Sequence, residues 1–81
     1  MASKHQTDTI KKYERKGYFV INLIKTNKNG IPDLLALKKG EPPIFIECKE
    51  VNDKLSELQR YRIRELNRLG FTAYEDKKII K

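Results

Sequence analysis

Apolar residues come in short bursts along this chain, and their period changes from one segment to the next. From Thr7 to Lys16 only Ile10 and Tyr13 recur at helical spacing, which predicts a short basic helix stopped by Gly17. Tyr18-Phe19-Val20-Ile21-Asn22-Leu23-Ile24 is nearly continuous in β-branched and aromatic residues and predicts a strand buried on both faces. Lys25 to Gly30 then turn the chain, with Asn29-Gly30 a pair that tolerates the positive φ of a hairpin. Two further strands follow, Ile31 to Leu37 and Ile44 to Lys49, joined by Lys38-Lys39-Gly40-Glu41-Pro42-Pro43.

Helical periodicity returns after Lys54. Ser56 is a good N-cap, Gly70 a C-terminal stop, and Leu55, Leu58, Arg62, Leu66 and Leu69 define an inward stripe on which Gln59 also lies. Phe71 to Tyr74 predicts a last strand, and Asp76 to Lys81 either extends it or forms a tail. The order is helix, three antiparallel strands, crossover helix, strand. A crossover returning to the same sheet places the fourth strand parallel to the third, giving an α/β layer structure around a mixed four-stranded sheet.

That topology concentrates charge at one end of the sheet. Asp33 opens one strand of a hairpin and Glu47-Cys48-Lys49 closes the other, so reversal brings all three charges together. Glu47 and Lys49 share a face while Cys48 points the other way. Charges flanked by Leu, Ile and Phe require pairing or a metal. Two readings are open: an ion pair of Lys49 with Glu47 or Asp33, and a site for a hard divalent cation, which takes oxygen ligands.

Composition narrows the partners. A chain of 81 residues has room for one domain, spanning 1–81, with a small core. Its net charge of +7 favours a polyanionic partner such as nucleic acid. One cysteine makes no internal disulfide, no apolar run is long enough for a membrane span, and Met1 to Gln6 has no signal-peptide character. The expectation is a cytoplasmic protein of a bacterial, archaeal or phage-infected cell.

Gly30-Ile31-Pro32-Asp33, an interval of fourteen residues from Asp33 to Glu47, then Glu47-Cys48-Lys49 and Leu55-Ser56 with Gln59, resemble the PD-(D/E)XK nuclease superfamily, and within it the small VRR-NUC domains. The resemblance runs from about Lys25 to Gly70 and implies a restriction-endonuclease-like core and phosphodiester hydrolysis dependent on Mg²⁺ or Mn²⁺. It implies Asp33, Glu47 and the backbone carbonyl of Cys48 as metal ligands, Lys49 as the residue that orients or helps deprotonate water, and Gln59 as a further catalytic-site residue. Ser56-x-x-Gln59 also matches a capping box, a role that competes with the site for the same side chain. A first-helix glutamate, eleven residues before the glycine that ends the helix, is a further metal-site residue that the resemblance implies; this chain has Gln6 there. Glu14 lies roughly 12 Å further along the helix, at the end away from the site. Either Gln6 supplies a neutral ligand or Asp8 reaches in from a shifted helix.

Lys25, Lys28 and Lys54 flank this place on loops and suit phosphate contacts that carry no sequence readout. Arg60, Arg64 and Arg68 repeat every four residues, a pattern more common for a solvated face. The expectation is an endonuclease of branched DNA such as Holliday junctions, acting in recombination or repair as a homodimer. Val51, Phe71, Tyr74, Ile79 and Ile80 are interface candidates that core packing explains equally well. The rivals are a nuclease-fold nucleic-acid-binding module that no longer cuts, an interaction subunit that needs a larger partner, and a nicking or restriction-type enzyme.

Overall fold

Helix α1 (Lys4–Arg15) lies against a sheet of β1 (Phe19–Asn22), β2 (Leu34–Leu37), β3 (Ile44–Lys49) and β4 (Thr72–Lys77), and α2 (Glu57–Arg68) crosses between β3 and β4. The computed structural model describes residues 4–77. The strand order is β1-β2-β3-β4, with antiparallel pairing for the first three and a parallel β3–β4 pair. The helix–three strands–helix–strand order and the mixed sheet are those predicted. Asp76 belongs to β4, so the last strand extends beyond Tyr74; Ile79 and Ile80 lie outside the described residues.

The core sits between the sheet and α1. Tyr13, Leu34, Ala36 and Ile46 are buried together, with Ile10, Tyr18, Val20, Ile44, Cys48 and Tyr74 around them. Helix α1 starts earlier than predicted and turns His5, Thr9 and Tyr13, one residue per turn, onto the sheet. Two of those three are polar, which is why hydropathy shows so thin a face. They are satisfied: Thr9 Oγ1 donates to the His5 carbonyl at 2.8 Å, and His5 Nε2 bonds the Asp76 carbonyl at 2.9 Å. Tyr13 and Tyr74 share a hydroxyl–hydroxyl hydrogen bond.

Two expectations need correction. The Tyr18–Ile24 run is not buried on both faces: β1 is an edge strand, Phe19 is 68% exposed, and within the strand Val20 and Asn22 turn inward while Phe19 and Ile21 turn out. The reason is reach, since α2 contacts β4 at the opposite edge and leaves this side of β1 uncovered. The α2 stripe is also narrower than its leucines suggest. Leu66 is buried and Arg62 half-buried, but Leu69 is 68% exposed beyond the last turn, and Leu58, beside Gly30, is 42% exposed.

Gly30 needs to be glycine twice over. Its φ is +79°, and a Cβ there would come within 2.6 Å of Leu58 Cγ. Gly30→Ala is expected to lower stability by roughly 2–4 kcal/mol, from backbone strain plus overpacking, read from the shift in urea unfolding midpoint at unchanged slope.

Candidate active site

Pro32 has no N–H to give a ladder, so pairing of β2 begins only at Leu34 and Asp33 stands just outside the strand. Its backbone is nonetheless fixed, because its carbonyl accepts from Leu23 N–H at 2.7 Å. Its carboxylate Oδ2 accepts from Cys48 N–H at 3.0 Å. That bond ties the start of β2 to the end of β3 and sets Asp33 beside Glu47, as the hairpin argument requires. Cys48 faces the α1 core, where burial pushes its thiol up to about 12. A thiol so hard to ionise is no nucleophile.

Glu47 is the chemical centre of the cluster. It is 3% exposed, and its carboxyl is pushed up to about 8 by burial first, then by the charge and hydrogen bond of Asp33, with Lys49 pulling the other way. Lys49 forms no salt bridge with either carboxylate. The ion-pair reading therefore fails, and two acidic side chains face one another without a cation in direct contact. Glu75 is opposite Glu47 on β4 and adds to the repulsion, a neighbour that only the parallel register reveals.

Gln59 caps α2 and contacts Glu47 with the same side chain. Its Oε1 accepts from Ser56 N–H at 2.9 Å and its backbone N–H donates to Ser56 Oγ at 3.1 Å, completing the capping box. Its Nε2 simultaneously donates to Glu47 Oε2 at 3.3 Å. The roles do not compete, because an amide has two ends.

The remaining candidates divide. Lys25, Lys28 and Asp33 line one groove of about 290 Å³, together with Leu23, Ile24, Thr26, Asn29, Gly30 and Ile31. Lys54 is exposed on the β3–α2 connection and does not line it. Gln6 is half-buried in the first turn of α1, the turn that places its neighbour His5 against Asp76 of β4. Asp8 does not reach in; it is solvent-exposed and pairs with Lys4 at 3.0 Å. A network that sequence reasoning missed, His5, Lys12 and Asp76, secures α1 to the end of β4, with Lys12 Nζ 2.6 Å from Asp76 Oδ2. Asp76 pairs with Cys48 across the parallel strands, so this network supports the site from the opposite face of the sheet.

A mixed sheet carrying an aspartate ahead of one central strand and Glu-x-Lys at the end of the next defines the PD-(D/E)XK class, on a restriction-endonuclease-like fold. The VRR-NUC domain matches residues 2–75, and the chain belongs to that nuclease family. Among solved structures it is similar to Hjc, a Holliday junction resolvase from the archaeal hyperthermophile Archaeoglobus fulgidus, at 21% identity and a TM-score of 0.68. The likeness covers 89% of this chain and 65% of that one, so this chain spans just under two thirds of the resolvase's length. At that identity the likeness establishes the fold. No curated protein sequence matches the chain.

Proposed function

We propose that residues 1–81 act as one metal-dependent DNA endonuclease domain that cuts branched duplex DNA such as Holliday junctions, in recombination or repair. The observation that carries this is the Asp33–Glu47 carboxyl pair, mutually repelling, of which Asp33 lines a lysine-bearing groove. The donor set fits Mg²⁺ or Mn²⁺: hard oxygens that repel each other are relieved by a hard dication. Asp33, Glu47 and the Cys48 carbonyl would hold it, with Gln6 as a neutral contributor in place of a glutamate. When bound, such an ion supplies Lewis-acid activation of the phosphodiester.

The chain's own residues do the rest. Gln59 holds the Glu47 carboxyl group in place, and Cys48 N–H holds that of Asp33. Lys49 shares the face of Glu47, where it orients the attacking water and balances negative charge growing on the phosphoryl oxygens. Lys25 and Lys28 hold the strand by its phosphates, and Lys54 adds a contact beyond the groove. Resemblance of fold to a junction resolvase supports branched DNA as substrate, and a net charge of +7 supports a polyanion. Among the described residues no helix is long and apolar enough to cross a membrane.

A homodimer matches a substrate with two strands to cut. The open apolar face offers Phe19 and Ile21 to a second copy, and Val51 and Phe71 are also partly exposed. Tyr74 leaves the set of interface candidates, because its hydroxyl bonds Tyr13 and its ring lines the core.

One observation favours the non-cutting alternative. Among the described residues no three His, Cys, Asp or Glu side chains are placed to hold one ion. The test is incubation of matched linear duplex, flap and four-way-junction DNA with Mg²⁺, Mn²⁺ or EDTA. Metal-dependent cutting, strongest on the junction, is expected. Tight binding with no cutting on any substrate would establish the binding module instead.

A further inference from the structure

Helix α2 touches the site's surroundings at two places. Gln59 reaches Glu47, and three residues later Arg62 turns toward the β1–β2 loop, where its Nε donates to the Asn29 carbonyl at 2.8 Å. The guanidinium is held on two further sides. Nη1 pairs with Glu65 Oε1 at 2.9 Å, and the plane lies 5.5 Å from the Tyr61 ring centre. The side chain is only 19% exposed. Beside it, Leu58 fills the space that a side chain at Gly30 would take, so loop and helix are in contact at two successive loop residues.

The grasped loop carries Lys25 and Lys28 and walls the groove that ends at Asp33. Its internal brace is slight: Thr26 Oγ1 donates to the Lys28 carbonyl and accepts from Lys28 N–H. A loop bearing two long cationic side chains loses considerable freedom on meeting a phosphate backbone, and fixing it beforehand lessens that loss. The carbonyl and the carboxylate are met by two different nitrogens of one planar head, whose fixed, spread donors a lysine ammonium lacks, which is a reason for arginine over lysine here. Because Glu65 already balances its charge, Arg62 is poorly placed to act as a phosphate contact of its own.

We propose that Arg62 is a positioning residue for DNA binding, tethering the 24–30 loop to α2 so that Lys25 and Lys28 face the strand lying in the groove at Asp33. The inference rests on the nuclease reading above. Its test needs no cleavage: fluorescence anisotropy of a labelled four-way junction in EDTA, between about 50 and 200 mM salt. Arg62→Gln is expected to weaken binding about tenfold at low salt and to flatten the salt dependence by up to about 1.8, the value of two lost phosphate contacts. In a Lys25→Ala/Lys28→Ala background the same change is expected to cost less than about twofold, because the lysines it positions are gone.

Undiminished binding by folded Arg62→Gln would overturn the tether, as would a tenfold loss that persists in the double-lysine background, which would make Arg62 a direct phosphate contact. Should Arg62→Gln not fold, Arg62→Lys keeps the charge and stem but not the fork. It is expected to weaken binding about threefold, again only when the two lysines are present. A native protein that fails to bind the junction would instead sink the nuclease reading itself.

Discussion

Asp33→Asn and Lys49→Ala are each expected to lower metal-dependent DNA cleavage by roughly 10²–10³-fold, with the fold and DNA binding retained. Asparagine is the informative replacement at position 33, because its side-chain oxygen still accepts from Cys48 N–H and so keeps the β2–β3 junction closed. What disappears is the negative charge that a cation would neutralise. At position 49 alanine removes the ammonium that shares Glu47's face and leaves no salt bridge broken. The two changes act on one transition state, so the double variant is expected to lose much less than the product of the single losses. Single-turnover rates at saturating DNA measure this, with circular dichroism as the control for folding. Cutting that survives both substitutions would place the chemistry elsewhere on the chain.

Stability is expected to depend on pH in a direction opposite to that of most carboxylates. The Glu47 carboxyl is raised from 4.5 to about 8 in the folded chain, so between those values the native state binds the extra proton. Unfolding free energy then falls as pH rises through that window and levels off above it. With allowance for structural relaxation the loss is on the order of 3 kcal/mol. Thermal unfolding in EDTA from acid to alkaline pH reads it directly. Glu47→Gln removes the ionisation while keeping a group for Gln59 to meet, so its unfolding temperature is expected to stay level across the same window. Mg²⁺ or Mn²⁺ is expected to raise the native protein's unfolding temperature most at the alkaline end, where the carboxyl has already lost its proton, and to leave Glu47→Gln nearly unmoved. An alkaline loss of stability equal in both proteins would remove Glu47 as its source.

Those expectations begin with features readable along the chain. An apolar strand with charge at one end, a turn and a second such strand are local signals, and hairpin geometry then makes the meeting of Asp33 and Glu47 unavoidable. Gly17, Ser56 and Gly70 mark helix ends for equally local reasons. What escaped reading depends on distances between elements. Whether β1 has one covered face or two is decided by how far α2 reaches across the sheet, and no pattern within Tyr18–Ile24 encodes that. The face of α1 is obscured because its stripe is His5, Thr9 and Tyr13: Thr9 is satisfied within the helix, but His5 and Tyr13 find their partners on β4, 71 and 61 residues later. Glu75 became a neighbour of Glu47 only through parallel register, and Arg62 finds its carbonyl partner 33 residues upstream. Ser56-x-x-Gln59 is legible as a capping box, but that the amide accepting from Ser56 at one end donates to Glu47 at the other depends on where β3 ends.

The double duty of Gln59 couples the start of α2 to the Glu47 carboxyl. Fraying of the first turn of α2, the commonest local opening of any helix, releases Ser56 and Glu47 in the same motion. With that turn open, Glu47 keeps Asp33 as a partner but loses the Gln59 amide. The N-terminal end of the helix and the orientation of the carboxyl are therefore coupled through one amide, so a change that loosens the cap also loosens Glu47.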